Sequence, residues 1–359
     1  MSLKVGIVGL PNVGKSTLFN AITKSQVEAA NYPFATIDPN VGVVPVPDER
    51  LPKLAIQEKS AKIVPASIEF VDIAGLVAGA HKGEGLGNQF LSHIREVDAI
   101  LEVTRIFDNS DIIHVDGSID PKRDMETIAI ELQLADLQTV DKRLTSLTKQ
   151  VKSGDKLAIK LEALLQKYRA ALENGKMANL VELSEEEKKT AREIQLLTTK
   201  PFLYAYNAEY DVNNKSYIIP GGSIDSQSSM IVDAKLEGEL AELEDNERQE
   251  YLQELGLEQS GLDQIITTAY QTLNLITFIT SGPQETKAWT CPAGSTAPQA
   301  AGKIHTDFEK GFIKAEVIAW DKLLEAGSYP AAKDKGWLRI EGKEYIVQDG
   351  DVVHFRFSK

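Results

Sequence analysis

Short apolar runs and helix-like spacings alternate along the first third of the chain. Residues 4–8 form a short apolar run, and residues 17–23 after it carry helical periodicity. Residues 68–71 form another such run, and the alternation continues to about residue 107. Strands that alternate with helices are typical of βαβ units, in which the strands are parallel. The pattern therefore predicts an α/β domain with a mixed, mostly parallel sheet.

A long helical pattern interrupts this rhythm between residues 126 and 199. Its apolar residues recur at steps of three and four, the spacing of an amphipathic helix seam: Leu137, Val140, Leu144, Leu147 and Val151. A second stripe starts at Leu157, after a turn at residues 153–155, and Ser184 with Glu187 forms a capping-box pattern for a further helix. We expect an antiparallel coiled-coil hairpin inserted in the sheet domain, serving either as a partner surface or as a spacer.

A second sheet is predicted toward the C-terminal end. Residues 202–206 resume the strand pattern of the first domain. From residue 273 onward several short strands surround a helix predicted near residues 297–308. We therefore expect three parts: an α/β domain of residues 1–125 and 200–272, a helical insertion of residues 126–199, and a small α+β domain of residues 273–359.

The composition fits a globular protein of the cytoplasm. Hydrophobic residues make up 42% of the 359 residues, no apolar run approaches the length of a membrane span, and no leader is expected before the first strand. The single cysteine, Cys291, cannot form an internal disulfide, which suits a reducing compartment. We expect a cytoplasmic monomer that does not contact membranes.

Charge is unevenly distributed along the chain. The net charge of −14 argues against a protein that coats nucleic acid over its whole surface. Ten lysines and arginines balance ten acidic residues between positions 300 and 359, so the acidic excess lies upstream. The C-terminal part is therefore the better candidate for an anionic partner.

A glycine-rich motif joins the first strand to the first helix. Residues 9–16 match the pattern Gly-x-x-x-x-Gly-Lys-Ser/Thr in the strand–loop–helix context that phosphate binding requires. Glycines in such a loop let backbone amides surround the phosphates, Lys15 adds a cation at the β- and γ-phosphates, and Ser16 offers a hydroxyl to Mg²⁺. The motif predicts a nucleoside triphosphate site with these binding residues: Asn12, Val13, Gly14, Lys15, Ser16 and Thr17.

A second motif lies where the predicted strand of residues 68–71 ends. Asp72 opens an Asp-x-x-Gly pattern, which downstream of a phosphate loop is typical of the element that senses Mg²⁺ and the γ-phosphate. Asp72 would hold a Mg²⁺-bound water, and the amide of Gly75 would face the γ-phosphate. In the loop between the two motifs, Thr36 is a candidate protein ligand to Mg²⁺, and a surface threonine is the alternative.

Four segments together resemble the Obg-like ATPase family of translation-factor P-loop proteins, specifically its YchF branch: residues 9–17, 31–36, 72–77 and 83–91. Residues 297–312 resemble the C-terminal TGS module of that branch, so the similarity covers essentially the whole chain. The resemblance implies a P-loop G-domain, a coiled-coil insertion and an ubiquitin-like TGS domain. It also implies the ribosome as partner, with ribosomal RNA contacted through the TGS domain and the coiled-coil arms.

The residue after the second motif bears on the rate of hydrolysis. Ras-like enzymes place a water-orienting glutamine there, and this chain has Leu76, which cannot polarise water. We therefore expect slow hydrolysis. The resemblance implies a role in hydrolysis for His114, whereas a lone histidine among apolar neighbours is also compatible with a structural role. Lys15 and Gly75 complete the predicted catalytic set.

The choice of base depends on the residues that follow the strand at 203–206. Guanine-specific proteins use Asn-Lys-x-Asp, whose aspartate accepts hydrogen bonds from guanine. The resemblance implies Asn-x-x-Glu instead, with ATP preferred over GTP. Here Asn207 is present, but Tyr210 occupies the acidic position, so Glu209 or Asp211 is a candidate replacement. We expect Asn207 and Ala208 to contact the base, with a last base-proximal loop near residues 232–235.

Three functions are compatible with these features. The first is a slow, Mg²⁺-dependent ATPase with weaker GTPase activity that acts as a nucleotide-controlled, ribosome-associated factor, with K⁺ as a further candidate ion. The second is an Obg-type GTPase switch. The third is a binding protein that nucleotide only stabilises. In the TGS segment a cationic face for RNA competes with a mixed-charge surface, because acidic residues interleave with these cations: Lys303, His305, Lys310 and Lys314.

Overall fold

The computed structural model describes residues 3–24, 40–73, 86–107, 119–191, 193–219 and 229–358. Within these ranges the strands are β1 (Leu3–Val8), β2 (Val41–Pro45), β3 (Ile63–Val64), β4 (Ser67–Asp72), β5 (Ala99–Arg105), β6 (Phe202–Asn207), β7 (Glu209–Asp211), β8 (Ser216–Ile218), β9 (Ser229–Val232), β10 (Leu275–Ser281), β11 (Thr286–Pro292), β12 (Phe312–Ala319), β13 (Arg339–Glu341) and β14 (Asp351–Phe357). The helices are α1 (Lys15–Lys24), α2 (Arg50–Glu58), α3 (Leu86–Glu96), α4 (Pro121–Lys152), α5 (Lys156–Glu173), α6 (Glu185–Ala191), α7 (Ala234–Leu240), α8 (Asp245–Leu255), α9 (Gly261–Thr272), α10 (Ala297–Ile304), α11 (Thr306–Lys310), α12 (Trp320–Ala326) and α13 (Tyr329–Asp334), with short 3-10 helices at Ala178–Leu180 and Leu197–Thr199.

Six strands form the N-terminal sheet in the order β2-β4-β1-β5-β6-β9. β4, β1, β5, β6 and β9 run parallel, and β2 joins antiparallel to β4. The register sets Ile7 beside Asp72 on β4 and beside Leu101 on β5, so the carboxyl ends of the central strands meet at one edge. This is the mixed, mostly parallel sheet that the sequence predicts. The loop after β1 opens on the edge where α/β sheets bind ligands.

Four helices contribute most of the apolar residues that pack on this sheet. β1 and β5 are buried along nearly their whole length, as expected for central parallel strands. Helices α1, α3, α4 and α9 each turn an apolar stripe toward them, with Leu18, Ile94, Leu132 and Ile265 fully buried. The packing fixes the position of α1, whose first turn carries the end of the phosphate-loop motif.

The predicted helical hairpin is present as α4 and α5. Val140 and Leu147 of α4 and Leu164 and Tyr168 of α5 are buried in one cluster between the arms. The other predicted seam residues are partly buried and pack against this cluster. The capping box also forms, since Ser184 and Glu187 exchange backbone and side-chain hydrogen bonds of 2.9 and 3.3 Å. Leu157 was predicted on the second stripe, but it is 77% exposed, because its neighbour Ala158 occupies the face of α5 that packs into this cluster.

Helix α4 belongs to two parts of the molecule. It begins at Pro121, behind the capping residue Asp120, and its first half packs Ile128 and Leu132 into the core of the N-terminal sheet. Farther along, the buried carboxylate of Asp136 accepts hydrogen bonds of 2.7 to 2.8 Å from the backbone of Leu197 and from the backbone and hydroxyl of Thr198. The segment that returns to β6 is therefore tied to the arm at its base.

The second six-stranded sheet has the order β13-β12-β14-β10-β11-β3. β10 and β14 are the first and last strands of the C-terminal part of the chain, and they lie parallel to each other. β10 and β11 form an antiparallel hairpin. Helix α10 packs Ala297, Ala300 and Ala301 against Phe278 and Phe355 of this sheet. A hairpin, a helix across the sheet and parallel first and last strands make the ubiquitin-like arrangement that the resemblance implies.

The edge of the second sheet comes from the N-terminal part of the chain. β3, which lies between β2 and β4 in sequence, pairs in parallel with β11 and places Ile63 beside Thr286. Helix α2 precedes it and buries Leu51 and Leu54 against Ile279 of the same sheet. The segment between two strands of the first sheet thus supplies an edge strand and core residues of the second sheet, which the sequence pattern did not predict.

Candidate functional site

The phosphate-loop motif forms a tight turn between β1 and α1. Asn12 and Gly14 have positive φ angles of 65° and 94°. A Cβ at Gly14 would lie 2.0 Å from Nδ2 of Asn207, and a Cβ at Gly9 would lie 2.7 Å from the carbonyl oxygen of Val103. Both glycines are therefore required by close approach, and Gly14 also by its left-handed backbone.

Asn207 joins the phosphate loop to the loop after β9. Its Nδ2 donates to the carbonyl oxygen of Val13 at 2.9 Å, and its Oδ1 accepts from the backbone amide of Ala234 at 3.0 Å. The side chain is 4% exposed. The amide group that the sequence assigned to the base is thus bonded on both sides to backbone, and it holds two loops of the site in place.

The phosphate loop opens on a cavity of about 950 Å³. Nearly all predicted binding residues line it, including Lys15, Ser16 and Ala208, whereas Val13 is buried behind the loop and offers its carbonyl to Asn207. Sequence reasoning missed Phe107 in the wall of this cavity. The full lining is Leu10, Pro11, Asn12, Gly14, Lys15, Ser16, Thr17, Phe107, Asn207, Ala208, Glu209, Asp233, Ala234 and Lys235.

Phe107 supplies an apolar wall of this cavity. It follows β5 directly, and the guanidinium carbon of Arg105 lies 4.4 Å from the centre of its ring. Nε of Arg105 also donates to the carbonyl oxygen of Phe107 at 3.0 Å. A large aromatic residue just past the end of a central strand is the sequence signal that could have identified it, because this is where α/β sheets bind ligands.

The two phosphate-side motifs meet in an ion pair. The ammonium group of Lys15 contacts Oδ1 of Asp72, and both side chains are largely buried. Ser16 and Thr17 are exposed on the first turn of α1, where free backbone amides and the helix dipole favour anions. A hydroxyl and a carboxylate beside a lysine form a donor set that suits hard cations and phosphate. Thr36, Gly75, Leu76 and His114 lie outside the residues that the structure describes.

Tyr210, in the position of the base-reading acid, faces away from the cavity. Its side chain is 7% exposed, its hydroxyl donates to the carbonyl oxygen of Leu255 at 2.6 Å, and its ring packs edge-on against Tyr217 at 5.0 Å. Burial raises the pKa of this hydroxyl above its ordinary value. Asp211 accepts from the amides of the turn after β7. Of the two candidate acids, Glu209 alone is part of the cavity wall within the described residues.

The loop predicted near residues 232–235 forms the remaining wall. Asp233 caps α7 by accepting from the amides of Lys235 and Leu236 at 2.9 and 3.1 Å, and it also accepts from the amide of Tyr210 at 3.0 Å. Its carboxylate is therefore committed to holding this loop against β7. This side of the cavity is built from backbone, Phe107 and the exposed Glu209 and Lys235.

Known proteins match this chain over its full length. A ribosome-binding ATPase YchF from Bacillus subtilis (strain 168) is 52% identical over 365 aligned residues that cover 100% of both chains, and one from Escherichia coli O157:H7 is 51% identical with the same coverage. The chain belongs to the YchF family. The family model described as 50S ribosome-binding GTPase matches residues 4–152, and the YchF-GTPase_C model, described as a protein of unknown function, matches residues 275–358.

Solved structures agree with this assignment to the YchF family. The YchF GTPase of Schizosaccharomyces pombe superposes with a TM-score of 0.86 at 39% identity, over 99% of this chain and 98% of that one. A GTP binding protein from Pyrococcus horikoshii OT3 shares the fold, with a TM-score of 0.60 at 19% identity over 99% of this chain and 100% of that one. Among the described helices, none combines the length and apolar character needed to cross a membrane.

Proposed function

We propose that this protein is a slow, Mg²⁺-dependent nucleoside triphosphate hydrolase that prefers ATP over GTP and acts as a nucleotide-controlled factor on the ribosome. The phosphate loop, the ion pair behind it and the named ribosome-binding ATPases among its relatives support this proposal. A ribosomal partner would be met in the cytoplasm, so a cytoplasmic location is part of this proposal.

The base preference is carried by one observation, the orientation of Tyr210. A guanine-specific site needs a carboxylate that accepts hydrogen bonds from the ring, and adenine lacks those donors. Tyr210 occupies that position, and its hydroxyl is directed into the protein toward Leu255. Adenine instead needs an apolar wall and a few polar contacts. Phe107 and the backbone at Ala208 supply such a wall.

Ser16, Thr36 and Asp72 are the residues that would hold Mg²⁺. The ion, when bound with the nucleotide, would neutralise the charge of the phosphates. Ser16 is exposed at the cavity, and the contact between Lys15 and Asp72 shows that the carboxylate reaches the loop, so the donor set fits the ion. K⁺ remains a further candidate ion of this proposal.

Lys15 has two anionic partners in the proposed cycle. Phosphate oxygens would replace Asp72 as the partner of its ammonium group, and this exchange would free the carboxylate to help hold the ion. The amide of Gly75 then senses the γ-phosphate, and His114 contributes to hydrolysis. Leu76 offers no group that orients water, which makes the reaction slow.

Isothermal titration with non-hydrolysable ATP and GTP analogues tests the base preference. We expect tighter binding of the ATP analogue, and about 10- to 100-fold weaker binding of either analogue by Lys15→Ala, because a charge-assisted contact to phosphate is lost. Tighter binding of the GTP analogue would refute the ATP preference. It would favour a GTPase, the second candidate, since Glu209 is an exposed carboxylate in the cavity.

Co-sedimentation with ribosomes tests the second half of the proposal. We expect association that differs between the ATP analogue and ADP, and loss of that difference in Asp72→Ala. Association that ignores the nucleotide in the wild type and in Lys15→Ala alike would identify a binding protein that nucleotide only stabilises.

A further inference from the structure

Arg105 is a charged side chain buried beside the cavity. It is the last residue of β5, it is 1% exposed, and it is among the largest fully buried side chains of the described residues. It does not belong to the described residues that line the cavity. Burial of a guanidinium group is costly unless its surroundings compensate it, so this position needs a physical reason.

Two contacts of Arg105 converge on Phe107. Nε donates to the carbonyl oxygen of Phe107 at 3.0 Å, and the guanidinium carbon lies 4.4 Å from the centre of the ring. At this distance the cation lies over the face of the ring, because the ring carbons would keep an approach at the edge farther from the centre. The backbone and the ring of Phe107 are therefore held by the same side chain.

Phe107 presents the remainder of its ring to the cavity. It is partly exposed and lines the cavity together with Ala208 and Glu209. Because the guanidinium group of Arg105 covers one face, the opposite face and the edges are left for contact with a ligand. A flat aromatic face is suited to stacking on a nucleobase.

Strand pairing ties this aromatic wall to the phosphate loop. The register of the sheet sets Arg105 beside Asn207 on β6, and the amide of Ile106 donates to the carbonyl oxygen of Asn207 at 2.9 Å. The side chain of Asn207 in turn bonds to Val13 in the phosphate loop. The position of Phe107 relative to the phosphate loop is therefore fixed, as a ligand with phosphates at one end and a ring at the other requires.

We propose that Arg105 is a positioning residue for the nucleobase, because it holds Phe107 in the orientation in which the free face of the ring stacks on the base. A side chain that is already ordered in the free protein loses less conformational entropy when the ligand binds. Arginine suits this role, since its planar group stacks on a ring while Nε donates to a carbonyl, which the point charge of a lysine cannot do. Since the ligand is taken to be a nucleoside triphosphate, this role rests on the proposed function.

The experiment compares the wild type with Arg105→Lys, which keeps the charge and loses the planar group. Isothermal titration with Mg²⁺ present measures the affinity for a non-hydrolysable ATP analogue and for inorganic tripolyphosphate, which has the phosphates without the base. We expect the variant to bind the ATP analogue roughly three- to tenfold more weakly than the wild type does. Its affinity for tripolyphosphate should be unchanged, which also shows that the phosphate loop is folded.

Phe107→Leu provides a second variant, in which the side chain stays apolar but has no aromatic face. Its affinity for the ATP analogue should fall roughly tenfold, again without a change for tripolyphosphate. In the double variant, Arg105→Lys should cause no further loss, because the ring that it positions is absent. Because Phe107 is partly exposed, Phe107→Leu also provides a test if Arg105→Lys does not fold.

A matched control makes the same substitution in another pair of this kind. The guanidinium carbon of Arg339 lies 5.2 Å from the centre of the Tyr345 ring in the C-terminal domain. Arg339→Lys should bind the ATP analogue and tripolyphosphate like the wild type.

Three outcomes would overturn the role of Arg105. Equal weakening of both ligands in Arg105→Lys would show that the arginine only supports the fold. Losses that add in the double variant would show that it acts elsewhere than on Phe107. Wild-type affinity of Phe107→Leu for the ATP analogue would show that the ring does not meet the base. A wild type that prefers the GTP analogue would refute only the ATP preference of the proposed function, since the role of Arg105 is tested by ligands with and without a base.

Discussion

The side chain of Asn207 donates to the carbonyl oxygen of Val13 at 2.9 Å, so the end of β6 holds the phosphate loop directly. Its other amide atom accepts from Ala234, which places three loops of the site around one buried group. The side chain of Asn207 therefore holds the phosphate loop, the end of β6 and the loop after β9 in fixed positions relative to one another.

Asn207→Ala should weaken both the fold and nucleotide binding. The substitution leaves the carbonyl of Val13 and the amide of Ala234 buried without partners, at about 1–3 kcal/mol for each unsatisfied group. We expect a free energy of unfolding lower by about 2–6 kcal/mol and at least roughly tenfold weaker nucleotide binding, measured by urea unfolding and calorimetry. Asn213→Ala, an exposed asparagine in the turn after β7, is the control and should behave as wild type.

Gly14→Ala should abolish nucleotide binding by deforming the loop. A Cβ would lie 2.0 Å from Nδ2 of Asn207 at a φ of 94°. The control is Gly154→Ala in the hairpin turn, where φ is 80° and no atom lies within 4 Å of the added Cβ. That change carries only the left-handed strain of about 1 kcal/mol. The double variant Gly14→Ala, Asn207→Ala removes the clash between the added Cβ and Nδ2 of Asn207 but keeps the backbone strain at residue 14. If the losses of binding in the two single variants simply add in the double variant, the clash is not the cause.

Glu209 and Tyr210 should have separable effects. Glu209→Gln is expected to change the ratio of ATP to GTP affinity, because its carboxylate lines the cavity. Tyr210→Phe should leave that ratio unchanged and lower the free energy of unfolding by about 1 kcal/mol, since the carbonyl of Leu255 loses its donor. Competition binding with both analogues and urea unfolding of both variants provide the measurement. A changed ratio in Tyr210→Phe would mean that the tyrosine reaches the base.

Glu237 should make stability depend on pH. It lies in α7, and its carboxylate accepts from the amides of Gly261 and Leu262 at the start of α9. Burial is the main reason that its pKa is raised from 4.5 to about 7. The folded state therefore holds a proton that the unfolded state releases, and the contribution of Glu237 to stability is full below pH 4.5 and is lost as the pH rises to about 7.

The neutral variant Glu237→Gln removes this titration. Unfolding by urea at several pH values across that window should show a falling free energy for the wild type and a smaller decline for the variant. Parallel curves for the two proteins would show that another group is responsible.

Local sequence patterns were sufficient for the parts of the site that are local in the chain. The phosphate loop follows from the spacing of Gly9, Gly14 and Lys15, and the hairpin from the stripe that includes Val140 and Leu147. These features depend on neighbours within a few turns, where periodicity and glycine placement are informative.

The remaining features depend on contacts between distant segments. Tyr210 turns away from the cavity because the carbonyl oxygen of Leu255, in α8, accepts a hydrogen bond from its hydroxyl. Asn207 serves the backbone because Val13 and Ala234 come to it from two different loops. No pattern in the five residues around Asn207 contains this information, since side-chain direction here is decided by tertiary packing.

Insertions and deletions should be poorly tolerated in the segment between β2 and β4. Loops that join neighbouring strands normally tolerate insertions and deletions. Here Ser60 and Lys62 bond to Gly282 and Thr286, and α2 lies in the core of the second sheet. Deletions in this segment should expose the edge of β11 to faster hydrogen exchange. The contacts with the C-terminal domain therefore restrict which substitutions this segment tolerates. Substitutions in the segment and in the strands that it contacts are expected to occur together.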